Sequence, residues 1–195
     1  MLTFAVAVFF LLITPGPGVL TTAGVGSAYG WNQGLKFLAG LCVGTNLVAL
    51  AVVSGLWAIV ASIEWLRPIL VWASVAFFVY LASKIALAGA QIKFMETAKP
   101  GFMNGLLLQF INPKAYAVNN LMFSGYAFMA DNLAAEVIVK FIIINAVWIP
   151  VHLIWLWAGV SLKRMNLAPG IQRAINIAMA ASLLIVVGLA AWSQL

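Results

Sequence analysis

Apolar residues run along this chain in long blocks, and polar residues gather between them. A membrane-crossing helix needs about 20 apolar residues. Blocks of that length fall at 2–27, 37–62, 68–90, 105–129, 138–161 and 174–193. The pattern predicts an all-α integral membrane protein with six transmembrane helices. The cluster Gly30-Trp31-Asn32-Gln33-Gly34 reads as the first turn and is followed by Lys36. Glu64, Arg67 and Pro68 mark the second, with Trp65 at interface depth. Residues 91–104 form a polar linker holding Lys93, Glu96, Lys99, Pro100 and Gly101. It divides the chain into a first three-helix unit, 1–90, and a second, 105–195. Asp131, Asn132 and Glu136 read as the next loop, and Lys163, Arg164, Pro169, Gly170 and Arg173 as the last.

Composition strengthens this reading. Of 195 residues, 65% are hydrophobic and 7% charged, against about 25% charged in an average globular domain; mean hydropathy is +1.11. The net charge of +6 sits between the apolar blocks, so it is a topology signal. The expected surroundings are a lipid bilayer and not a nucleic acid. Cys42, the single cysteine, excludes a disulfide framework within the chain and reads as a small packed apolar residue. No Lys or Arg precedes the first apolar block, so it is read as a retained span and not a cleaved signal. Loops after spans one, three and five carry Lys36, Lys93, Lys99, Lys163, Arg164 and Arg173. That side is expected to be cytoplasmic, and an even number of spans then puts both termini outside.

Two spans are interrupted. Thr14-Pro15-Gly16-Pro17-Gly18 lies inside the first. Each proline removes a backbone donor and clashes with the carbonyl four residues back, freeing the carbonyls of Leu11 and Ile13. Asn112-Pro113-Lys114 interrupts the fourth. Leu11-Leu12-Ile13-Thr14-Pro15 aligns with Gln109-Phe110-Ile111-Asn112-Pro113, and Asn46 aligns with Asn145 at nearly the same offset. Halves with three spans each must lie in opposite orientations, which is the 3+3 inverted repeat of many secondary transporters. Pro15 and Pro113 fall roughly 20 Å and 12 Å into their spans at 1.5 Å per residue, entering from opposite faces. Both breaks are therefore expected near the midplane of a core about 30 Å thick.

The motifs also resemble a known family. Thr14-Pro15-Gly16-Pro17, the stretch Gly101-Phe102-Met103-Asn104-Gly105 running on to Asn112-Pro113-Lys114-Ala115, and Tyr80-Leu81 are similar to the lysine exporter / homoserine-threonine resistance (LysE/RhtB) family. The resemblance covers essentially the whole chain. It implies export of amino acids or close derivatives across the bacterial inner membrane, driven by the proton motive force. The chain departs from the family at Gly18, where Asp or Asn is common, and at Lys84 inside span three.

The residues suggest a site of their own. Amides at Gly18, Val19 and Leu20 would open a half-helix with its positive dipole end, suited to a carboxylate, while freed carbonyls suit an ammonium. Lys114 is the charged residue expected near the midplane, and an intramembrane charge is a functional hypothesis by default. Asn112 and Asn119 share a helical face. Asn46 and Asn145 suit either substrate contact or interhelical hydrogen bonding. The expected substrate-binding set is Thr14, Pro15, Gly16, Pro17, Gly18, Asn46, Asn112, Pro113, Lys114, Asn119 and Asn145. Lys114 and His152 are the proton-coupling candidates; His152 also reads as a packed, hydrogen-bonded side chain. Lys84 is expected to snorkel. Glu64, Glu96, Asp131 and Glu136 all read as loop residues.

These readings favour a secondary active exporter of small, neutral amino acids, working by alternating access around a midplane site. No cofactor or metal is expected. A cation or metal efflux protein of the same superfamily is the first alternative, but the sequence offers no His/Cys cluster for it. An intramembrane enzyme would need a nucleophile–base pair, and His152 has no partner by spacing. A non-transporting membrane subunit is the remaining alternative, and Gly40-x-x-x-Gly44, a small-residue face suited to close helix approach, leaves homo-oligomerisation open.

Overall fold

The computed structural model describes residues 1–13, 16–55, 62, 63, 65–87, 99–129, 131–165 and 167–192. Thr14, Pro15, Glu64, Lys93 and Glu96, singled out above, lie outside these residues. Regular structure among the described residues is helical: α1 (Leu2–Ile13), α2 (Pro17–Tyr29), α3 (Trp31–Val53), α4 (Leu66–Ala86), α5 (Phe102–Ile111), α6 (Pro113–Ser124), α7 (Leu133–Arg164) and α8 (Pro169–Trp192). Within them, Trp31–Val53 and Leu133–Leu162 are long and apolar enough to cross a membrane, and α1 with α2 makes a third if the pair is one span bent by 52°. The outer surface is apolar: Leu2, Ile142, Ile154, Trp157 and Ile185 are all exposed, as expected of helices that face lipid.

Several boundaries differ from the sequence reading. Of the turn cluster after span one, only Gly30 breaks the helix, at φ 84°, a conformation in which a side chain is strained. Trp31 to Gly34 already form the first turn of α3. Helix α3 stops at Val53 with Gly55 at φ 76°, well before residue 62. Pro68 falls in the first turn of α4, where a missing amide costs little. The helix α5 begins inside the expected linker at Phe102; the Gly101 amide donates to the Asn104 side chain (3.0 Å) and defines that start.

Glycine decides which helices approach closely. A Cβ at Gly40 would overlap the Phe102 carbonyl, and one at Gly105 the Phe37 carbonyl, so α3 and α5 pack backbone to backbone. The Gly40/Gly44 face thus packs against α5 within the chain. A Cβ at Gly159 would likewise overlap the Ala23 carbonyl, bringing α7 onto α2. Helix α4 packs on α8. Phe37, Leu41, Phe78, Leu81, Leu108, Trp148, Leu156 and Leu183 fill the core between them.

Helix ends converge at one end of the bundle. Gln33 Nε2 donates to the Pro100 carbonyl (2.8 Å), and Tyr29 donates to the Lys84 carbonyl (2.9 Å). Ser27, Gln172 and Asn176 form a polar network joining α2 to the start of α8, with bonds of 3.1 Å. At the other end Glu136 corrects the sequence reading. It is not a loop residue but lies buried in the first turn of α7, 2.9 Å from the Lys140 ammonium, which is itself 1% exposed. The carboxylate also accepts from the Phe128 amide (2.8 Å) and the Met129 amide (2.5 Å). Lys140 donates to the Phe123 carbonyl (3.1 Å) and lies among the rings of Phe4, Phe123 and Phe128. Pairing at i, i+4, with further hydrogen bonds to both partners, offsets the desolvation cost of burying the charges.

Candidate functional site

The break between α5 and α6 satisfies its own backbone. Asn112 adopts φ −85°, ψ 104° and caps α6, its Oδ1 accepting from the Lys114 amide (3.2 Å), with Pro113 next in the first turn. Pro113 frees the Gln109 carbonyl, and that carbonyl accepts the Asn112 amide (3.3 Å) instead. The Phe110 carbonyl accepts the Tyr116 hydroxyl (2.8 Å). A side-chain relay then fixes Asn112 from a third helix. Asn112 Nδ2 donates to Gln109 Oε1 (3.1 Å), Gln109 Nε2 donates to Thr45 Oγ1, and Thr45 donates to the Leu41 carbonyl (2.9 Å).

On the other side, Gly16 is extended (φ −157°, ψ 175°) and precedes α2, with Pro17 as its first residue. The Leu20 amide already bonds the Gly16 carbonyl (3.0 Å). The amides that precede the first intrahelical bond are therefore those of Gly18 and Val19, and Leu20 drops out of the expected set. Thr21 and Thr22 return their hydroxyls to the Pro17 and Gly18 carbonyls (2.5 and 2.8 Å).

The starts of α2 and α6 face one another. A Cβ at Gly16 would lie 2.7 Å from Lys114 Nζ and 3.1 Å from its Cδ. The lysine side chain thus occupies the space that a larger residue at Gly16 would take. Around this meeting point lies an open pocket with about 560 Å³ of empty space, its mouth included. Gly16, Gly18, Asn112, Lys114, Asn119 and His152 all line it. Its apolar wall includes Leu12, Val19, Val118, Met122, Ile144 and Trp148.

Pro17 and Pro113 sit at the helix starts, and Pro17 is not among the residues that line the pocket. Asn46 and Asn145 do not line it either; they bond each other. Asn46 Nδ2 donates to Asn145 Oδ1 (2.9 Å), and Asn145 Nδ2 to Asn46 Oδ1 (2.8 Å). Each also donates to the carbonyl four residues back, Cys42 and Phe141, at 2.9 Å in both cases. Of the two readings the sequence left open, the structure shows the interhelical hydrogen bond.

Thr45 and Gln109 line the pocket and were not in the expected set. A threonine in a membrane helix gives no sequence signal beyond its ordinary bond to the preceding turn. Gln109 stood out as polar in an apolar run, but its role depends on α3 lying against α5. His152 is held rather than free to swing: Nδ1 lies 2.9 Å from the Trp148 carbonyl, and the ring stacks on Trp148 at 3.7 Å between centroids.

A helical, apolar-surfaced protein with a pocket lined by polar groups at the starts of two helices has the build of a membrane translocator. The chain belongs to the LysE type translocator family, whose model matches residues 9–194, and it is a translocator rather than an enzyme. It is 25% identical over 168 residues to the cysteine/O-acetylserine efflux protein of Escherichia coli O1:K1 / APEC, covering 86% of this chain and 85% of that one. It is 28% identical over 102 residues to the protein of the same name from Salmonella paratyphi A, covering 52% of each. No solved structure matches it.

Proposed function

We propose that this protein is a secondary active exporter of small, neutral amino acids or close derivatives, coupled to the proton motive force. The observation that carries the reading is the seating of Lys114 beside Gly16, in a pocket walled by both helix breaks. A carboxylate there would meet the ammonium and the first-turn amides of α2 together. Thr14 and Pro15, outside the described residues, belong to the same proposed site. The relatives' names, cysteine/O-acetylserine efflux proteins, fit this substrate class.

The proposed architecture is six spans in a 3+3 inverted repeat: α1 with α2, α3, α4, then α5 with α6, α7 and α8. Two observations support it. The Asn46–Asn145 pair is reciprocal, with the same i−4 bond on each side, as for equivalent residues on a two-fold axis. Packing is also crosswise: α7 against α1 and α2, α3 against α5 and α6. Two halves rocking about such an axis would alternate access to the pocket. The proposed location is the bacterial inner membrane, with both termini outside.

Reconstituted vesicles test the proposal. Labelled cysteine or O-acetylserine should exchange by counterflow, and a protonophore should abolish uphill export while sparing counterflow. Cells expressing the protein should resist toxic levels of the substrate. Lys114→Ala should remove both activities at unchanged membrane abundance. Normal export by that variant would overturn the site assignment.

A further inference from the structure

The pocket holds donors for a carboxylate, but no Asp or Glu is among the described residues that line it. An amino acid also brings an ammonium, which needs acceptors. Most polar side chains of the pocket are already engaged. Thr45 Oγ1 donates to Leu41 and accepts from Gln109, and both ends of the Gln109 and Asn112 amides are bonded. Asn119 gives Nδ2 to the Ala115 carbonyl (2.8 Å), which leaves Oδ1 as an acceptor.

Among the described residues His152 is the other side-chain acceptor, and its tautomer follows from its partner. Trp148's carbonyl oxygen can only accept, so in the neutral ring the hydrogen lies on Nδ1 and Nε2 carries a lone pair. Nε2 is turned to the first turn of α2, where a Cβ at Gly18 would stand 3.6 Å away, in ordinary contact. Stacking on Trp148 fixes the plane of the ring, and the absence of a side chain at Gly18 keeps the approach to Nε2 open.

We propose that His152 Nε2 receives the substrate's α-ammonium, making His152 the residue that tells an amino acid from the corresponding deaminated acid. Lys114 and the α2 amides hold the carboxylate at one end of the bound zwitterion, and His152 takes the amine at the other. This rests on the transport reading above. A site built to bond a polar group discriminates strongly against the analogue lacking it, because its own buried partner is then left unpaired.

The test compares counterflow of L-cysteine with that of 3-mercaptopropionate, which keeps the thiol and carboxylate and lacks the amine, under reducing conditions. The wild-type protein should prefer cysteine by about tenfold or more. His152→Leu should bring cysteine down to the rate of 3-mercaptopropionate and leave the latter within about twofold of wild type. His152→Phe, which keeps a ring to stack on Trp148, should read the same ratio if the leucine variant does not reach the membrane. His152→Gln, which restores an acceptor, should recover part of the preference. A preference that survives in the Leu or Phe variant, or an equal loss of both substrates, overturns the assignment. Equal transport of the two compounds by the wild-type protein overturns it as well, leaving the transport reading standing. Transport of neither by the wild-type protein overturns the transport reading, and this inference with it.

Discussion

Gly16 and Gly18 differ in what a methyl group would meet. At Gly16 it would press on the end of the Lys114 side chain, 2.7 Å from Nζ; at Gly18 it would find His152 Nε2 at 3.6 Å and Leu41 Cδ2 at 3.8 Å. The lysine tip is flexible, so Gly16→Ala should fold but displace the ammonium. Counterflow should fall by about tenfold or more, the scale of a lost charge-assisted hydrogen bond, whereas Gly18→Ala, whose methyl group crowds the approach to His152 Nε2, should lower counterflow of cysteine and leave that of 3-mercaptopropionate within about twofold. Vesicle counterflow at matched protein levels checks both. Lys114, Asn112 and Asn119 were legible because a polar side chain inside an apolar block is costly in lipid and so marks a site or pathway by default. Thr45 was not, because its place in the relay depends on a residue 64 positions away. The buried Glu136–Lys140 pair did leave a trace, the i, i+4 spacing of opposite charges. Its burial depends on Phe4, Phe123 and Phe128 closing around it.

Among the helices, the close approach of α3 and α5 rests on missing side chains. Gly105→Ala would drive a methyl group into the Phe37 carbonyl, and a backbone cannot rotate aside as a lysine tip can. It should lower stability to thermal unfolding in detergent by about 1–3 kcal/mol, the usual scale of overpacking. A Cβ at Gly188 would meet nothing within 4 Å, so Gly188→Ala should be neutral or stabilising by up to about 1 kcal/mol through helix propensity. The Gly40/Gly44 pattern announced a tight helix contact without naming its partner. Helix ends drifted for a related reason. Apolar length says how much chain can lie in lipid, whereas the ends are placed by particular residues: Gly30 and Gly55 with positive φ, Asn132 accepting from the Ala135 amide, Asn104 from that of Gly101.

For the molecule as a whole, the described helix ends beside the loops expected to be cytoplasmic converge at one end. Gln33 ties the start of α3 to Pro100, Tyr29 reaches the end of α4, and Ser27 meets the start of α8. Lys36, Lys99 and Arg173 belong to these segments, so the basic residues gather there, as the positive-inside rule requires of a cytoplasmic side. The other end carries the start of α1 and the Glu136–Lys140 pair. A reporter active only in the cytoplasm should therefore be silent when fused to the C-terminus and active when inserted after Lys99. The reverse pattern would invert the proposed topology.

Membrane class, helical content, the α5–α6 break and the candidacy of Lys114 were decided by local chemistry. Long apolar blocks need no tertiary partner to declare themselves, and a proline removes its own amide whatever surrounds it. The sequence could also pair Asn46 with Asn145 by offset, yet not say whether they bind a ligand or each other. Tertiary structure decided what depends on distance between segments: the ammonium seated against Gly16, the relay from Thr45 to Asn112, the ring of His152 held by Trp148 with Nε2 toward Gly18, and the enclosure of Glu136. Each is a contact between helices far apart in the chain, and only their packing determines which polar groups meet a partner and which remain available to a substrate.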